Sequence, residues 1–516
     1  MSNRDPKAAW SYHNHTKHSY ESIHTEPHYL DWENQPLPFK VYKTLEPMPL
    51  PRDLLSSGIP ALSAVSAFNA PAATPSLPSL ALLASLLYFS AGITKRKQYP
   101  GGEILFRAAA CTGALYHIEL YVVCGDLPDL QAGVYHFGPG DFALRCIRQG
   151  DYRDVIAQAT GGEPCMAAAP LTVICTGTYW RNAWKYRART YRHCFWDTGT
   201  ILANFLAVAA AHAMPAKVLM GFIDEMVNRL LGLDMKREVA LTLVALGHDP
   251  QGPPGSHPAL EPLQLETVPL SNKAVEYPAI GAMHAASSLS DEAEAAAWHG
   301  RMPPHDWSGP MGELFPLRPP SAVDAAPDTI EQVILRRGSS RRFARAPMGY
   351  AQLSTMLQRA TQGIATDFHD PLGIMLNDLY LIVNAVDGLP SGAYVFRQDH
   401  GDLELLKRGD FRRDAGYLGL MQEIPADASV DVFFMTDLRA VLERFGNRGY
   451  RAAQLEAGLI GGKLYLGAYA QRLGASGLTF FDDDVTRFFA PHAGDKSVMF
   501  LVALGKAAKL SRSHPA

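Results

Sequence analysis

The second half of this chain contains no cysteine. All six cysteines lie between Cys111 and Cys194 and form no CxxC pair, which argues against a disulfide scaffold and for reduced, buried thiols in a cytoplasmic protein. Charge is scarce too. Asp, Glu, Lys and Arg make up 19% of the 516 residues, the net charge is −4 and no basic block stands out, so nucleic acid is not an expected partner. No GxGxxG or P-loop pattern occurs in a strand–turn–helix setting. No apolar run follows Met1-Ser2-Asn3-Arg4-Asp5, so no secretory signal is expected.

Uninterrupted hydrophobic runs are also lacking. Leu77 to Ile93 is short and broken by Pro78 and three serines, and Ile201 to Phe222 carries His212, Pro215 and Lys217. A charge at bilayer depth costs roughly 2.5–3.5 kcal/mol on insertion scales. Their counterparts around Leu353–Ile364 and Ile460–Leu478 hold Arg359, Lys463 and Arg472. Buried helices are expected, and no membrane.

What is present is a repeat. Residues 113–225 and 372–484 align at a constant offset of 259: Gly133-Val134-Tyr135 returns as Gly392-Ala393-Tyr394, and Asp151-Tyr152-Arg153 as Asp410-Phe411-Arg412. Arg189, Tyr191 and Arg192 return as Arg448, Tyr450 and Arg451; Asp197 and Gly199 return as Glu456 and Gly458. A period this long is a duplicated domain rather than a solenoid, whose units run about 20–50 residues. Two fused copies imitate a symmetric dimer, and an active site is expected between them.

The pattern predicts a polar, then Pro/Ser/Ala-rich arm and loop over 1–75, a first half over 76–250, a linker over 251–325 wrapped on the surface, and a second half over 326–516. In the first half we expect helices at 80–92, after Gly161 and at Thr190–Ala213. Strands are expected at Leu120–Val123, Leu171–Cys175 and Ala240–Leu246, with a hairpin over Gly133–Arg148. The second half should repeat this with helices at Gln352–Gly363 and Ala452–Leu473, strands at Leu379–Val383, Val430–Met435 and Ser497–Leu504, and a hairpin over Gly392–Lys407. Strands alternating with long helices indicate an α+β fold.

One run is chemically dense. Arg336 and the following Arg337-Gly338-Ser339-Ser340-Arg341-Arg342-Phe343 combine four cations with two hydroxyls. Such a cluster can hold a phosphate through charge-assisted hydrogen bonds, although a solvated basic turn has the same composition. Five histidines (His13, His15, His18, His24 and His28) lie near the N-terminus without a cysteine or carboxylate framework, and no metal is expected there. Asp482-Asp483-Asp484 reads as the acidic start of a helix.

The motif R-x-S-x-R-x-F at Arg337–Phe343 resembles the FMN-binding entry of the nitroreductase superfamily. Three further stretches resemble its SagB/ThcOx-type dehydrogenase branch: Leu30–Tyr42 its leader, Arg107–Tyr121 its R-[TA]-x-P-S-A-G-A-L-Y-P-x-E-x-Y loop, and Lys185-Tyr186 with Arg189, Tyr191 and Arg192 its K-Y-x-x-R-x-Y-R. The resemblance implies a tandem-duplicated nitroreductase-like fold forming an intramolecular pseudo-dimer, open to further oligomerisation, with FMN at its interface. The implied cofactor residues are Arg337, Gly338, Ser339, Arg341, Leu478, Thr479, Phe480 and Lys506 from the second half, facing Ala109, Ala110, Cys111, Thr112 and Gly113 from the first. The reciprocal site lacks the R-x-S-x-R run and has His369–Met375 in place of the loop, so one FMN per chain is expected. The family's Pro-Ser is here Ala110-Cys111, and its second Pro is His117.

Lys185 and Tyr186 have Arg444 and Phe445 as repeat counterparts. In azoline-oxidising members this pair is regarded as catalytic, and a desolvated lysine, or a tyrosinate beside it, can accept the proton that accompanies hydride loss. Arg187, Arg189 and Arg192 would lower the lysine pKa or bind an acidic group. The pair also fits ordinary residues at a helix start. The leading expectation is therefore FMN-dependent oxidation of an azoline or related intermediate, with a small molecule or peptide as substrate. An NAD(P)H-dependent nitro or quinone reductase, and a non-catalytic partner subunit of a biosynthetic complex, remain open alternatives.

Overall fold

A computed structural model describes residues 3–25, 28–68, 74–99, 102–303, 311–320, 327–369 and 375–508. Its two large sheets have seven strands each, and every neighbouring pair in them is antiparallel. The first sheet runs in the order Met48–Pro49, Ala143–Gln149, Gly133–Gly138, Ile118–Cys124, Leu171–Thr178, Glu238–Leu246, Ala216–Leu219. The second runs Glu313–Pro316, Asp402–Arg408, Gly392–Arg397, Asp378–Val383, Val430–Thr436, Ser497–Gly505, Gly474–Leu478. The two orders are the same, strand for strand. The fold is α+β, one unit built twice.

The central strands are buried along their whole length, because both faces are covered; in the first sheet one face packs toward the helix Thr190–Ala211 and the other against the helices Arg153–Ala159 and Asp224–Leu231. The helices Thr190–Ala211 and Asn447–Ala470 pack against each other between the sheets, and both are buried almost throughout. A single hydrophobic cluster runs through both repeats, from Ala9 to Leu504. The seam is thus a core rather than a docked surface. The stretch Tyr179–Ala211 is long and apolar enough to cross a membrane, yet 89% of its apolar window is buried inside the protein.

Several local expectations need correction. The N-terminal arm is not simply extended: Lys7–His15 is a helix whose Ala9, Tyr12 and His13 are buried in the seam. The segment 251–325 does more than wrap the surface. It forms helices at Pro278–Ala286 and Glu292–Trp298, and Trp298 donates to the Phe445 carbonyl at 2.9 Å. The helix expected after Gly161 lies mostly before it, at Arg153–Ala159, with a four-residue turn at Pro164–Ala167 beyond. The exposed hairpin Ile93–Tyr99/Gly102–Arg107 and the edge strands Ala216–Leu219 and Gly474–Leu478 were not anticipated. All six cysteines are free.

Candidate functional site

The loop that follows the exposed hairpin is held by one carboxylate. Asp197, on the helix Thr190–Ala211, accepts from the Thr112 amide at 2.9 Å and the Thr112 hydroxyl at 2.8 Å, and from the Cys111 thiol at 3.0 Å. Thr200, one turn further along, donates to the Ala110 carbonyl at 2.7 Å. Gly113 turns the loop with φ of 62°, and a Cβ there would stand 2.8 Å from the Tyr186 hydroxyl; only glycine suits this position. Glu456, the repeat counterpart of Asp197, anchors the other half in the same manner through the amides of Leu376 and Asn377, and pairs with His369 at 2.7 Å. Residues 370–374 of the reciprocal loop lie outside the described residues.

The opposing wall comes from the second half. Helix Ile330–Arg336 starts with a capping box at Thr329 and Gln332 and delivers the Arg/Ser run. Ser340 donates its amide to the Ala475 carbonyl at 2.8 Å, and the Ser339 hydroxyl lies 3.2 Å from that of Tyr465. Between the walls is a cavity of about 380 Å³, within the range of small-molecule sites.

Of the residues singled out from sequence, Ala110, Cys111, Thr112, Gly113, Lys185 and Tyr186 line this cavity from one half. Ser339, Arg341, Leu478 and Thr479 line it from the other. The remaining ones stand elsewhere. Arg337 is buried and donates to the Ala108 and Arg107 carbonyls at 2.7 and 3.1 Å, so it is a strut between the repeats. Gly338 sits near the Tyr469 hydroxyl. Ala109 lines a separate space of about 10 Å³ behind the loop. Phe480 is fully buried beneath the Arg189 guanidinium, and the Lys506 side chain is exposed. The cavity also includes His193, Trp196, Asp197, Gln422 and Tyr465. Asp197 could have been found from its pairing with Glu456 in the repeat; the others leave no signal in a single sequence.

Electrostatics separates the roles of Lys185 and Tyr186. Lys185 is half-buried at the end of helix Tyr179–Tyr186, and burial, reinforced by Arg341, lowers its pKa. Burial, with Asp197 and Cys111, raises the Tyr186 pKa. Tyr186 is therefore a phenol, not a tyrosinate. Neither Lys185 nor Arg341 has a carboxylate partner among the described residues, and the lysine ammonium lies 5.4 Å from the Tyr186 ring centre. The backbone directly after the pair is strained: Arg187 has φ of 50° and ψ of −139°, where the counterpart after Phe445 is Gly446.

Arg189 and Arg192 do not act on Lys185. Both are buried and paired with Asp482, at 3.1 and 2.6 Å, and they also donate to the Thr16 and His13 carbonyls of the arm. Their counterparts Arg448 and Arg451 pair with Asp224 at 2.5 and 2.7 Å. Each arginine pair thus reaches an aspartate of the opposite repeat. Asp482 opens the acidic first turn of helix Asp482–Phe488, as its sequence suggests.

A family profile described as the nitroreductase family matches residues 103–248. A protein of Methanocaldococcus jannaschii, provisionally named nitroreductase MJ1384, is 23% identical over 165 residues, 32% of this chain and 78% of that one. The microcin B17-processing protein McbC of Escherichia coli is 26% identical over 157 residues, 30% of this chain and about half (54%) of McbC. A crystal structure from Anabaena variabilis, provisionally named a nitroreductase, superposes with a TM-score of 0.78 and 26% identity over 97% of this chain and 99% of that one. With this whole-length likeness, the doubled sheet order and the profile match in the first repeat, residues 103–248 form a nitroreductase-family domain, the whole chain carries that fold built twice, and the protein is an oxidoreductase.

Proposed function

We propose that the chain is an FMN-dependent dehydrogenase of the SagB type, oxidising an azoline or related heterocycle in a modified peptide or natural-product intermediate. One FMN per chain would occupy the cavity between the repeats. The observation that carries this reading is the meeting of Lys185 and Tyr186 with Arg341, Ser339 and the Cys111–Gly113 loop around one cavity. Arg341, a cation without a carboxylate partner among the described residues, suits an anionic group, and a guanidinium beside a hydroxyl suits a phosphate. Ser339 and Arg341 would hold that phosphate. The backbone of Ala110–Gly113 and of Leu478–Thr479 would face the flavin ring. The site fits the cofactor.

When bound, the flavin supplies hydride acceptance. The chain's own groups manage the proton. Lys185, its pKa lowered by burial and by Arg341, is the group placed to accept a proton from the carbon next to the oxidised one. Tyr186 stays protonated and can donate a hydrogen bond to the substrate. The likeness to a microcin-processing protein supports a peptide substrate. Partner proteins in peptide modification belong to the same reading.

Heat release of flavin from purified protein tests the assignment. About one FMN per chain, together with oxidation of a thiazoline or oxazoline peptide, supports it. A protein that carries FMN but only reduces nitro compounds or quinones with NAD(P)H would replace this reading by a reductase, in keeping with the names of the M. jannaschii and A. variabilis proteins. A protein that takes up no FMN would overturn it.

A further inference from the structure

The loop differs from the family pattern at Cys111 and His117, and both residues turn toward the same atom. Cys111 Sγ lies 3.0 Å from Asp197 Oδ2, and His117 Nδ1 lies 3.4 Å from it. One sulfur, one nitrogen and one oxygen donor therefore gather within 4.8 Å of one another. Tetrahedral zinc sites are built from this set of atoms, with Zn–S near 2.3 Å and Zn–N and Zn–O near 2.0–2.2 Å. Such bond lengths separate neighbouring ligand atoms by somewhat more than 3 Å.

Three observations argue that the gathering is more than a hydrogen-bonded core. First, His117 is fully buried, yet neither ring nitrogen has a hydrogen-bond partner. Buried polar side chains rarely go unsatisfied, and each exception calls for a reason. Second, the donors are oriented by outer contacts as metal ligands are. Thr112 occupies Asp197 Oδ1 with its amide and hydroxyl, leaving Oδ2 toward the sulfur and the imidazole, although the amide also lies 3.0 Å from Oδ2. The Tyr116 amide points at Cys111 Sγ from 3.1 Å. Third, Cys111 and Asp197 border the enclosed space of about 10 Å³ behind the loop, which has room for one water. The hydroxyl of Ser90, which also lines it, is buried without a partner.

We infer that Cys111, His117 and Asp197 bind one divalent transition metal, zinc by its preference for sulfur, nitrogen and oxygen donors, with a water in the small cavity as fourth ligand. The ion ties the loop to the helix Thr190–Ala211 just behind the candidate flavin wall. The divalent ion balances the two anionic ligands, the Cys111 thiolate and the Asp197 carboxylate, and the nearby Arg181 guanidinium is separately paired with Glu119 at 2.6 Å.

Metal content of the full-length protein, measured by inductively coupled plasma mass spectrometry after exhaustive dialysis, tests this. About one zinc per chain is expected, falling at least tenfold in Cys111→Ser and His117→Gln. In chelator-treated wild-type protein, added Co²⁺ should give a thiolate-to-cobalt charge-transfer band. Zinc should also shield Cys111 from alkylation, read by peptide mass spectrometry. If the variants do not fold, the cobalt band and the alkylation of wild-type protein decide. Wild-type protein that is folded but shows neither zinc nor a cobalt band overturns the inference, as does zinc retained equally in both variants. Flavin content is read separately, so failure of the metal site and failure of the FMN assignment are distinguishable.

Discussion

Gly199 and Gly458, repeat counterparts 259 positions apart, lie against each other where the two long helices cross. A Cβ on Gly199 would stand 2.4 Å from the Leu459 amide nitrogen, and one on Gly458 would stand 2.5 Å from the Trp196 carbonyl oxygen. No side chain fits at either point, because backbone faces backbone. Gly458→Ala is therefore expected to lower the unfolding free energy by roughly 1–3 kcal/mol through overpacking. Gly281→Ala, at an exposed position of the helix Pro278–Ala286 with nothing within 4 Å of the added carbon, is the control. Denaturant unfolding of both variants checks this; equal midpoints would refute the close crossing.

The exchanged ion pairs carry a pH signature. Burial alone would raise the Asp224 carboxyl, but Arg448 and Arg451 hold it down to about 2, and Arg189 and Arg192 hold Asp482 well below the usual carboxylate range. A carboxyl whose folded pKa is depressed adds stability above its unfolded pKa of about 3.8 and loses it as pH falls through the folded value. Stability should thus drop steeply from about pH 4 toward pH 2. Asp482→Asn, which strands two buried guanidinium groups, should cost about 3–5 kcal/mol at pH 7 and flatten that acid limb. Thermal unfolding between pH 2 and 7 checks both.

These pairs show where sequence stopped being informative. The repeat exposed Arg189, Arg192, Arg448 and Arg451 as counterparts, and the alternation of apolar runs located the inner strands, because each is buried along its full length. Partners were not legible. Asp482 and Asp224 are distant in sequence from their arginines, and the contact exists only once the repeats interlock. The same holds for Arg337: its R-x-S-x-R setting suggests an anion ligand, whereas its guanidinium bonds two backbone carbonyls of the other half. The hairpin Ile93–Tyr99/Gly102–Arg107 was missed because its exposed residues follow no burial pattern.

Lys463 is a further titrating group in the seam. It is buried on the helix Asn447–Ala470 and donates to the Gln362 carbonyl, where its repeat counterpart Asn204 is a neutral amide bonded to the Phe89 carbonyl. Burial lowers its pKa to about 7. Between pH 7 and about 10.5 the unfolded chain holds a proton that the folded chain has released, so stability rises with pH, by up to about 1.4 kcal/mol per unit. Lys463→Met should be more stable than wild type at pH 7 and below, with the gap closing toward pH 10. A gap that does not change with pH would show that the amine is not desolvated.

Lys185 and Tyr186 divide the proton chemistry in a way that substitution can separate. Lys185→Ala should keep its flavin and lose about 10²- to 10⁴-fold in kcat, the usual worth of a positioned base. Lys185→Arg should not rescue it, since a guanidinium does not give up its proton near neutral pH, although Arg preserves the charge. Tyr186→Phe removes a donor but no base and should cost less. In wild type, kcat should rise with pH through a lysine pKa held below 10.5 by burial and by Arg341; removing the arginine charge with Arg341→Gln should move that limb upward. If Lys185→Arg retained full kcat and the same pH profile, Lys185 would be an electrostatic anchor for the bound anion, and the proton would have to leave by another route.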